Sequence, residues 1–566
     1  MRRASLFAFC SLLFAAPAGA QDNSATVLSL ADIRTYRSIF DEQAAGHLPK
    51  AEALIKKISD PVLMGYVLEQ RYLGHGYTAK FSDLNSWLAK YGDLAGAERV
   101  YKLALKKKPK KLAKGVTVAG PMPIRWRGER FDDEAAPAAQ PQSAKAQRVL
   151  VQLRAFESEG KPDKAETTLL NLPSSSDLPQ QDFDRLAAYV AAAYLAEGRD
   201  LDALRVAEDI IAHGAANAPL AHWTAGLAEY RLGHFENSAR HFEVMSETSD
   251  VAARDLAGGA FWAARAWMRT GAPERVVALY GRAASEPNTF YGMLATRLLG
   301  GDAGPGFVEP SLDRDSLTAL LENKAARRAV ALWQVGQVSA IEAELARAFG
   351  ETSPDLDPAF AGLARMLGAP SLELRAAETS ANRDLYLTSL YPVPAYAPKG
   401  GYQLDKAMLL AFARQESRFV PDAQSKAGAR GVMQIMPATA VEIAHDPSLA
   451  RSNKDRLDDP AFSMMLGQDY LQGLLDRQNG NLLSLAAAYN AGAGNLAKWL
   501  MTQDSNDDPL LFIENLPAPE TRDYVKRVMM NFWMYRKRLG EPVDGLDETA
   551  AGNWPTYRAL DTVAAR

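Results

Sequence analysis

One carboxylate, that of Glu416, stands at the end of a strongly apolar segment, where it is suited to general acid–base chemistry. Residues 404–417 carry apolar side chains at helical spacing on nearly every side, which predicts a helix buried in a core. The negative end of the helix dipole and burial would both raise the pKa of Glu416. A carboxyl that stays protonated near neutral pH can protonate a leaving group.

Three further motifs follow Glu416 along the chain. Ser425 opens a loop with two glycines, and Gln434 and Met436 end it just before Pro437. The second motif, Tyr489–Asn490, closes an apolar segment and offers a ring, a hydroxyl and an amide, and the third spans residues 513–525. The alternative is that Glu416 only solvates a helix end and that each later motif is packing. Their order and spacing favour a polysaccharide-cutting site instead.

The four motifs together resemble the catalytic domain of the soluble lytic transglycosylases, a lysozyme-like α-helical fold that acts on bacterial peptidoglycan. The segments that carry the resemblance are ESRF (416–419), GVMQIMP (431–437), AYNAG (488–492), IENLP (513–517) and ETRDYV (520–525). One departure is Ser463–Met464, where relatives often carry Asn-Ile, and it concerns only local packing.

The resemblance implies a role for each matching residue. Glu416 is expected to be the sole catalytic acid/base, with Tyr524 close to it. The residues expected to bind the glycan strand, together with Tyr524, are Ser417, Ser425, Gln434, Met436, Tyr489, Asn490 and Glu514.

A single acid is unusual for an enzyme that cuts glycosidic bonds, because such enzymes normally use two carboxylates. No Asp or Glu lies between Ser425 and Gln434, and nothing marks Asp422 or Glu442 as facing a groove. The substrate can supply the nucleophile itself through the 2-acetamido group of N-acetylmuramic acid. The resemblance then implies that the sugar closes on its own 6-hydroxyl and leaves a 1,6-anhydro end.

Composition excludes several other classes of protein. The chain has 566 residues, a net charge of −4 and 23% charged residues, so it lacks the basic footprint of a nucleic-acid-binding protein. Its seven histidines show no metal-binding spacing, so neither a metal site nor any cofactor is expected. A chain of this length exceeds a single core, and several domains are expected.

Residues 1–20 are predicted to be a secretory signal peptide, with Arg2 and Arg3 before an apolar stretch and Ala18–Gly19–Ala20 as the cleavage site. The single cysteine, Cys10, lies inside this signal and lacks the context of a lipid anchor. We therefore expect a mature protein in the periplasm, without cysteine and without a membrane span.

Helices with turn glycines are predicted over residues 21–370. Gly160, Gly198, Gly233 and Gly271 stand 38, 35 and 38 residues apart, close to the period of helical-hairpin repeats. Such repeats stack into an α-superhelical solenoid. The fold class is therefore all-α, with an N-terminal solenoid and a C-terminal lysozyme-like catalytic domain. The remaining predicted segments are a linker (371–400), the catalytic domain (401–540) and a C-terminal tail (541–566).

The leading hypothesis is a lytic transglycosylase acting on peptidoglycan glycan strands. Two alternatives remain: a goose-type lysozyme-like hydrolase, and a non-catalytic solenoid scaffold that only binds peptidoglycan. Expected protein partners are cell-wall synthases or amidases.

Overall fold

The computed structural model describes most of the chain beyond its N-terminus. The described residues are 26–110, 117–127, 143–172, 178–213, 219–248, 251–302, 304, 306–380, 387–502, 505 and 507–560. The predicted signal peptide (1–20), with Cys10, lies outside them.

The described residues form helices and connecting loops, without a β-strand among them. The prediction of an all-α chain is therefore confirmed. None of the helices in the described ranges is both long and apolar enough to cross a membrane. The α-helices are α1 (Leu30–Ala44), α2 (Leu48–Ile55), α3 (Met64–Leu73), α4 (Phe81–Tyr91), α5 (Ala97–Lys107), α6 (Ala144–Ser158), α7 (Pro162–Leu170), α8 (Gln180–Ala196), α9 (Asp200–Ala212), α10 (Pro219–Arg231), α11 (Phe235–Glu247), α12 (Ala253–Thr270), α13 (Pro273–Ala284), α14 (Phe290–Leu298), α15 (Arg314–Glu322), α16 (Lys324–Val335), α17 (Ile341–Glu351), α18 (Asp357–Met366), α19 (Pro370–Thr379), α20 (Leu387–Leu390), α21 (Lys406–Ser417), α22 (Pro437–Ala444), α23 (Pro460–Arg477), α24 (Leu482–Ala491), α25 (Ala493–Thr502), α26 (Pro509–Asn515), α27 (Pro519–Arg538) and α28 (Asp544–Ala550).

The chain divides into two compact units, each built from two separate stretches. Unit one comprises residues 1–127 and 311–372, and unit two comprises residues 128–310 and 373–566. In unit one, α1 packs against α2, α3 and α16. Its interior holds Arg328, which pairs with Asp93 at 2.7 Å and with the buried Glu344 at 2.8 Å, while the Tyr66 hydroxyl donates to Glu344. A buried charge is tolerated there because it is paired.

The first stretch of unit two is a series of helical hairpins, α6 to α14, in which each helix packs on its neighbours in sequence. The glycines that signalled the repeats lie in the turns within four hairpins. Gly160, Gly198, Gly233 and Gly271 adopt φ values of +65°, +73°, +83° and +78°. Side chains are strained in this region of backbone space, so the glycine spacing in the sequence marks the ends of helices.

The second stretch of unit two surrounds one buried helix, α21, whose residues 407–413 are all buried. Helix α27 packs along α21 and also contacts α24 and α14. Asp405, which precedes α21, forms a buried ion pair with Arg536 near the end of α27. This pair joins the far ends of the two helices that carry the candidate site.

Residues 541–560 contain helix α28, whose Leu546 is buried, and α28 packs against α14. The segment from 541 is thus part of unit two as far as it is described. The domain boundaries given above stay predictions.

Candidate functional site

Helix α21 ends in an uncommon way, directly after the predicted acid. Arg418 and Phe419 both adopt positive φ, +53° and +63°, which turns the chain sharply just after Glu416 and Ser417. The Phe419 ring is fully buried, and the Arg418 guanidinium pairs with the buried Glu378. Packing and pairing offset the cost of the left-handed backbone, and they fix Glu416 at the helix end.

The Glu416 carboxylate accepts a hydrogen bond from the Tyr524 hydroxyl of α27. The pKa of Glu416 is raised to about 7, because the effects of burial and, less strongly, of the Glu520 charge exceed the lowering by the bond from Tyr524. Glu416 is therefore substantially protonated near neutral pH. The group can give a proton and take one back in the same pH range, as acid–base catalysis requires.

Glu520 opens the ETRDYV motif, and the sequence analysis gave it no role. It is exposed in the first turn of α27, four residues before Tyr524, so both side chains lie on one face of that helix. The spacing Glu-x-x-x-Tyr was the signal that could have identified it. A second carboxylate thus stands near Glu416, at the solvent side of the site.

The loop that follows α21 is held to the helix by Ser417. The buried Ser417 hydroxyl donates to backbone carbonyl oxygens, at 2.8 Å from Val432 and 3.1 Å from Ala413. Gln434 adopts φ +46°, and its amide nitrogen donates to the carbonyl oxygens of Ala423 and Gly431 at 2.9 and 3.0 Å. The side chains of Ser417 and Gln434 thus stabilise the conformation of the loop by hydrogen bonds to backbone carbonyls of the loop.

Two predicted substrate-binding residues of this loop are exposed. The Ser425 hydroxyl accepts a bond from the Ala429 amide at 3.0 Å and faces solvent. Met436, just before α22, is 40% exposed, which is unusual for a large apolar side chain. An exposed thioether beside a polar loop is suited to contact the apolar face of a sugar ring.

Tyr489 and Asn490, at the end of α24, connect three parts of the site. The Tyr489 hydroxyl donates to the Met433 carbonyl at 2.7 Å, and its ring packs 4.8 Å from that of Phe412 on α21. The Asn490 side-chain oxygen accepts from the Thr521 hydroxyl at 2.7 Å, which ties α24 to the start of α27. The two residues brace the loop and α27 around Glu416.

The Glu514 side chain forms its bonds away from Glu416. It is buried at the end of α26, accepts a bond from the Tyr291 hydroxyl of α14 and pairs with Lys526 at 2.8 Å. These two contacts are with α14 of the solenoid and with α27. Its predicted role in binding glycan stays a prediction that these contacts do not support.

The loop depends on the absence of a side chain at Gly431. This residue has φ +77°, and a Cβ there would lie 2.0 Å from the Leu457 carbonyl oxygen. Gly428 has φ +93° but open space around the Cβ position. We expect Gly431→Ala to destabilise the protein by about 1–3 kcal/mol more than Gly428→Ala, because only the first adds a clash. Urea unfolding of both variants measures the difference, and equal losses would contradict it.

No cluster of three or more His, Cys, Asp or Glu suited to a metal ion occurs in the described part of the chain. The residues around Glu416 can perform proton transfer by a carboxyl with a raised pKa, assisted by a tyrosine hydroxyl.

Comparison with known proteins shows a family match over the part of the chain that contains Glu416. Residues 395–512 match the family model described as "Transglycosylase SLT domain". The soluble lytic murein transglycosylase of Escherichia coli K12 is 37% identical over 142 residues, which are 25% of this chain and 22% of that relative. The chain thus aligns with about a fifth of the length of this curated relative. The resemblance inferred from the motifs is confirmed.

Solved structures extend the similarity in fold to most of the chain. The lytic transglycosylase Slt of Pseudomonas aeruginosa, in an inactive mutant form, aligns with a TM-score of 0.56 and 20% identity, over 91% of this chain and 88% of that one. The 70 kDa soluble lytic transglycosylase of Escherichia coli aligns with a TM-score of 0.51 and 16% identity, over 93% and 99%. The predicted fold class, a helical solenoid with a lysozyme-like domain, is confirmed.

Proposed function

We propose that the chain is a lytic transglycosylase of bacterial peptidoglycan, in which the SLT domain of residues 395–512 supplies the catalytic acid. The observation that carries the proposal is the partly buried Glu416 with a pKa of about 7, bonded to the Tyr524 hydroxyl inside the four family motifs. The bond cleaved joins N-acetylmuramic acid to N-acetylglucosamine, and the product ends in 1,6-anhydro-N-acetylmuramic acid.

In the proposed reaction, protonated Glu416 gives its proton to the glycosidic oxygen as the bond to C1 breaks. The acetamido oxygen of the same muramic acid residue attacks C1 and forms an oxazolinium ion, so no protein nucleophile is needed. The Glu416 carboxylate then removes the proton of the 6-hydroxyl, whose oxygen displaces the acetamido oxygen from C1. Glu416 ends protonated, as it began, and no water is consumed.

Tyr524 would act on the acid through its hydrogen bond. The hydroxyl stabilises the ionised form of Glu416, which exists between the two proton transfers. Gln434, Ser425 and Met436 line the loop beside this pair and are the candidate contacts for the glycan. Ser417 and Asn490 would position the loop and α27.

A second candidate, a hydrolase, is favoured by Glu520. An exposed carboxylate near Glu416 could activate a water molecule, as the second carboxylate of an inverting enzyme does. A scaffold that only binds peptidoglycan would not need a carboxyl group such as that of Glu416, whose pKa is raised to about 7.

The product distinguishes the candidates. Purified sacculi are digested with the protein, and the released muropeptides are weighed before and after borohydride reduction. A transglycosylase gives products one water lighter than the hydrolysed species and resistant to reduction. Reducible products of full mass would establish the hydrolase, and no release would favour the scaffold.

The pH dependence tests the role of Tyr524. Because Glu416 must start protonated, turnover is expected to fall as pH rises through about 7. Removing the Tyr524 hydroxyl removes a bond that lowers the pKa of Glu416, so Tyr524→Phe is expected to move this descending limb to higher pH. The profile of kcat against pH measures the shift, and a limb that stays in place or moves down contradicts the assignment.

The site of action that we propose is the periplasm, because the signal peptide predicted over residues 1–20 would export the chain to its substrate. Cell-wall synthases and amidases remain predicted partners.

A further inference from the structure

Five lysines of unit one lie together on the surface at the end of α5. Lys102, Lys106 and Lys107 belong to the helix, and Lys108 and Lys110 follow it directly. All five are exposed. We call these residues the α5 lysine strip. The whole chain carries a net charge of −4, so the strip is a local excess of positive charge on an otherwise acidic protein.

The strip lies opposite the face by which α5 packs on unit one. Ala97, Val100 and Ala104 recur at helical spacing and are buried. Lys102 and Lys106, four residues apart, lie on the other side of the helix. The cations therefore form a row along a convex surface, and they do not converge on one small anion.

Neighbouring carboxylates neutralise little of this charge. Glu98, one turn before Lys102, lies 3.7 Å from it, and the two side chains are 59% and 70% exposed. Exposed pairs of this kind contribute little to stability. Within the described part of the chain, the other four lysines of the strip form no ion pair with a carboxylate. The positive charge of the strip is thus directed to solvent.

Stabilisation of α5 accounts for only part of the strip. Lys106 and Lys107 lie in the last turn, where cations interact favourably with the helix dipole. That effect falls off within one turn, so it does not account for Lys102 before the turn or for Lys110 beyond the helix. The remaining charge is available to an anionic partner outside the molecule.

An exposed apolar side chain lies among the lysines. Leu105 is 45% exposed and follows Lys102 by three residues, so the two are neighbours on the helix surface. A soluble polyanion offers charge alone, whereas a lipid bilayer offers charged headgroups above an apolar interior. Lysines with a leucine between them fit the bilayer, because the leucine can enter the interface while the ammonium groups stay at the headgroups.

We propose that the α5 lysine strip binds the surface of a lipid bilayer through its anionic phosphate headgroups, with Leu105 entering the interface. Clusters of about four to eight Lys or Arg on a helix bind anionic membranes in this way. Only the presence of a bilayer beside the protein rests on the proposed function, through its periplasmic site of action. The binding chemistry stands on the strip alone.

The test is sedimentation of the protein with lipid vesicles. The chain from Gln21 is used, without an affinity tag, because the apolar stretch of the predicted signal peptide would itself bind lipid. One set of vesicles contains phosphatidylcholine with about 30% of the anionic lipid phosphatidylglycerol. Vesicles of phosphatidylcholine alone supply the neutral surface.

The chain offers a matched control for removal of charge. Lys106→Gln/Lys107→Gln removes two adjacent exposed lysines of the strip at the end of α5. Lys56→Gln/Lys57→Gln removes two adjacent exposed lysines just after α2, in the same unit. A third variant, Leu105→Ser, removes the apolar side chain. Melting curves confirm that each variant is folded.

We expect the wild type to bind the anionic vesicles saturably and not the neutral ones. Each cation near an anionic surface contributes roughly fivefold, so Lys106→Gln/Lys107→Gln is expected to bind at least tenfold more weakly. Binding by Lys56→Gln/Lys57→Gln is expected to be unchanged, and Leu105→Ser is expected to bind about threefold more weakly or worse. Salt at about 0.5 M should release the protein, because it screens the charges.

No binding to the anionic vesicles, or an equal loss in the two double variants, overturns the proposal. Vesicle binding that Leu105→Ser leaves unchanged would make the strip a site for any polyanion and overturn its assignment to a bilayer. Sedimentation with sacculi is the second arm. If Lys106→Gln/Lys107→Gln loses binding to sacculi and keeps binding to vesicles, the strip serves peptidoglycan and the proposal is overturned. Wild-type protein that binds vesicles but releases no muropeptides would overturn the proposed function and support the bilayer contact.

Discussion

Replacing Glu416 by Gln is expected to lower the rate of muropeptide release from sacculi by about a thousandfold or more. General acid–base catalysis typically contributes 10²–10⁴-fold, and here one residue would serve both proton transfers. Glutamine keeps the size of the side chain and can still accept from Tyr524. The measurement is release of soluble muropeptides per enzyme, with sedimentation of protein bound to sacculi as the control. A variant that retains a tenth of the wild-type rate would contradict the assignment.

The same variant has a second readout that is independent of turnover. The pKa of Glu416 is raised from 4.5 to about 7 in the folded protein, mainly by burial. Its contribution to stability is therefore present below pH 4.5 and is lost as pH rises through about 7. That loss amounts to about 3 kcal/mol at most. Because glutamine does not titrate, Glu416→Gln is expected to gain stability relative to wild type between pH 4.5 and pH 8. Urea unfolding at both values measures the gain, and a difference that does not change with pH would contradict burial of the acid.

Arg536→Met is expected to lower the free energy of unfolding by about 3–5 kcal/mol. Arg536 pairs with Asp405, whose side chain is fully buried, and removing one partner leaves an uncompensated charge. Burial raises the pKa of Asp405, and Arg536 lowers it in part. In the variant this carboxyl must be protonated or stay charged without its cation. Urea unfolding at pH 7 gives the loss.

The matched control is the double variant Asp405→Asn/Arg536→Met, which removes both charges. We expect it to recover at least half of the lost stability, because only Glu541, 20% exposed and 3.6 Å from Arg536, then loses its cation. Equal instability of the single and double variants would show that stacking of the Arg536 guanidinium on Phe532, whose ring centroid lies 5.0 Å from the guanidinium carbon, is what matters.

The sequence was sufficient for the parts of the fold that depend on local pattern. The turn glycines indicated the hairpins of the solenoid, since only glycine adopts their positive φ cheaply. Helix α21 followed from its apolar residues, and Glu416 was placed correctly in its last turn. Each of these features depends only on the residues within a single helix or turn.

The sequence could not show which residues each side chain contacts in the folded protein. The resemblance implied a glycan contact for Glu514, which stays a prediction, but it gave no sign of the bond from Tyr291, more than two hundred residues earlier in the chain. Glu520, six residues later, is the residue whose charge raises the pKa of Glu416. Periodicity tells which side chains share a face of a helix, and only the tertiary packing of α27 decides what each face meets. The two left-handed residues after Glu416 were missed for a related reason, because Arg and Phe rarely adopt that backbone without burial and pairing to compensate.

Helix α27 limits how this protein can be dissected. The family match ends at residue 512, whereas α27 runs from Pro519 to Arg538. A recombinant fragment cut at the edges of the match would keep Glu416 but lose Tyr524, and with it the hydroxyl that stabilises the ionised form of Glu416. A longer fragment that kept α27 but discarded the solenoid would leave the Trp533 ring without Phe290, on which it stacks at 5.4 Å. The catalytic portion therefore does not form a self-contained domain. A chimaeric protein that includes it would also need to include α14.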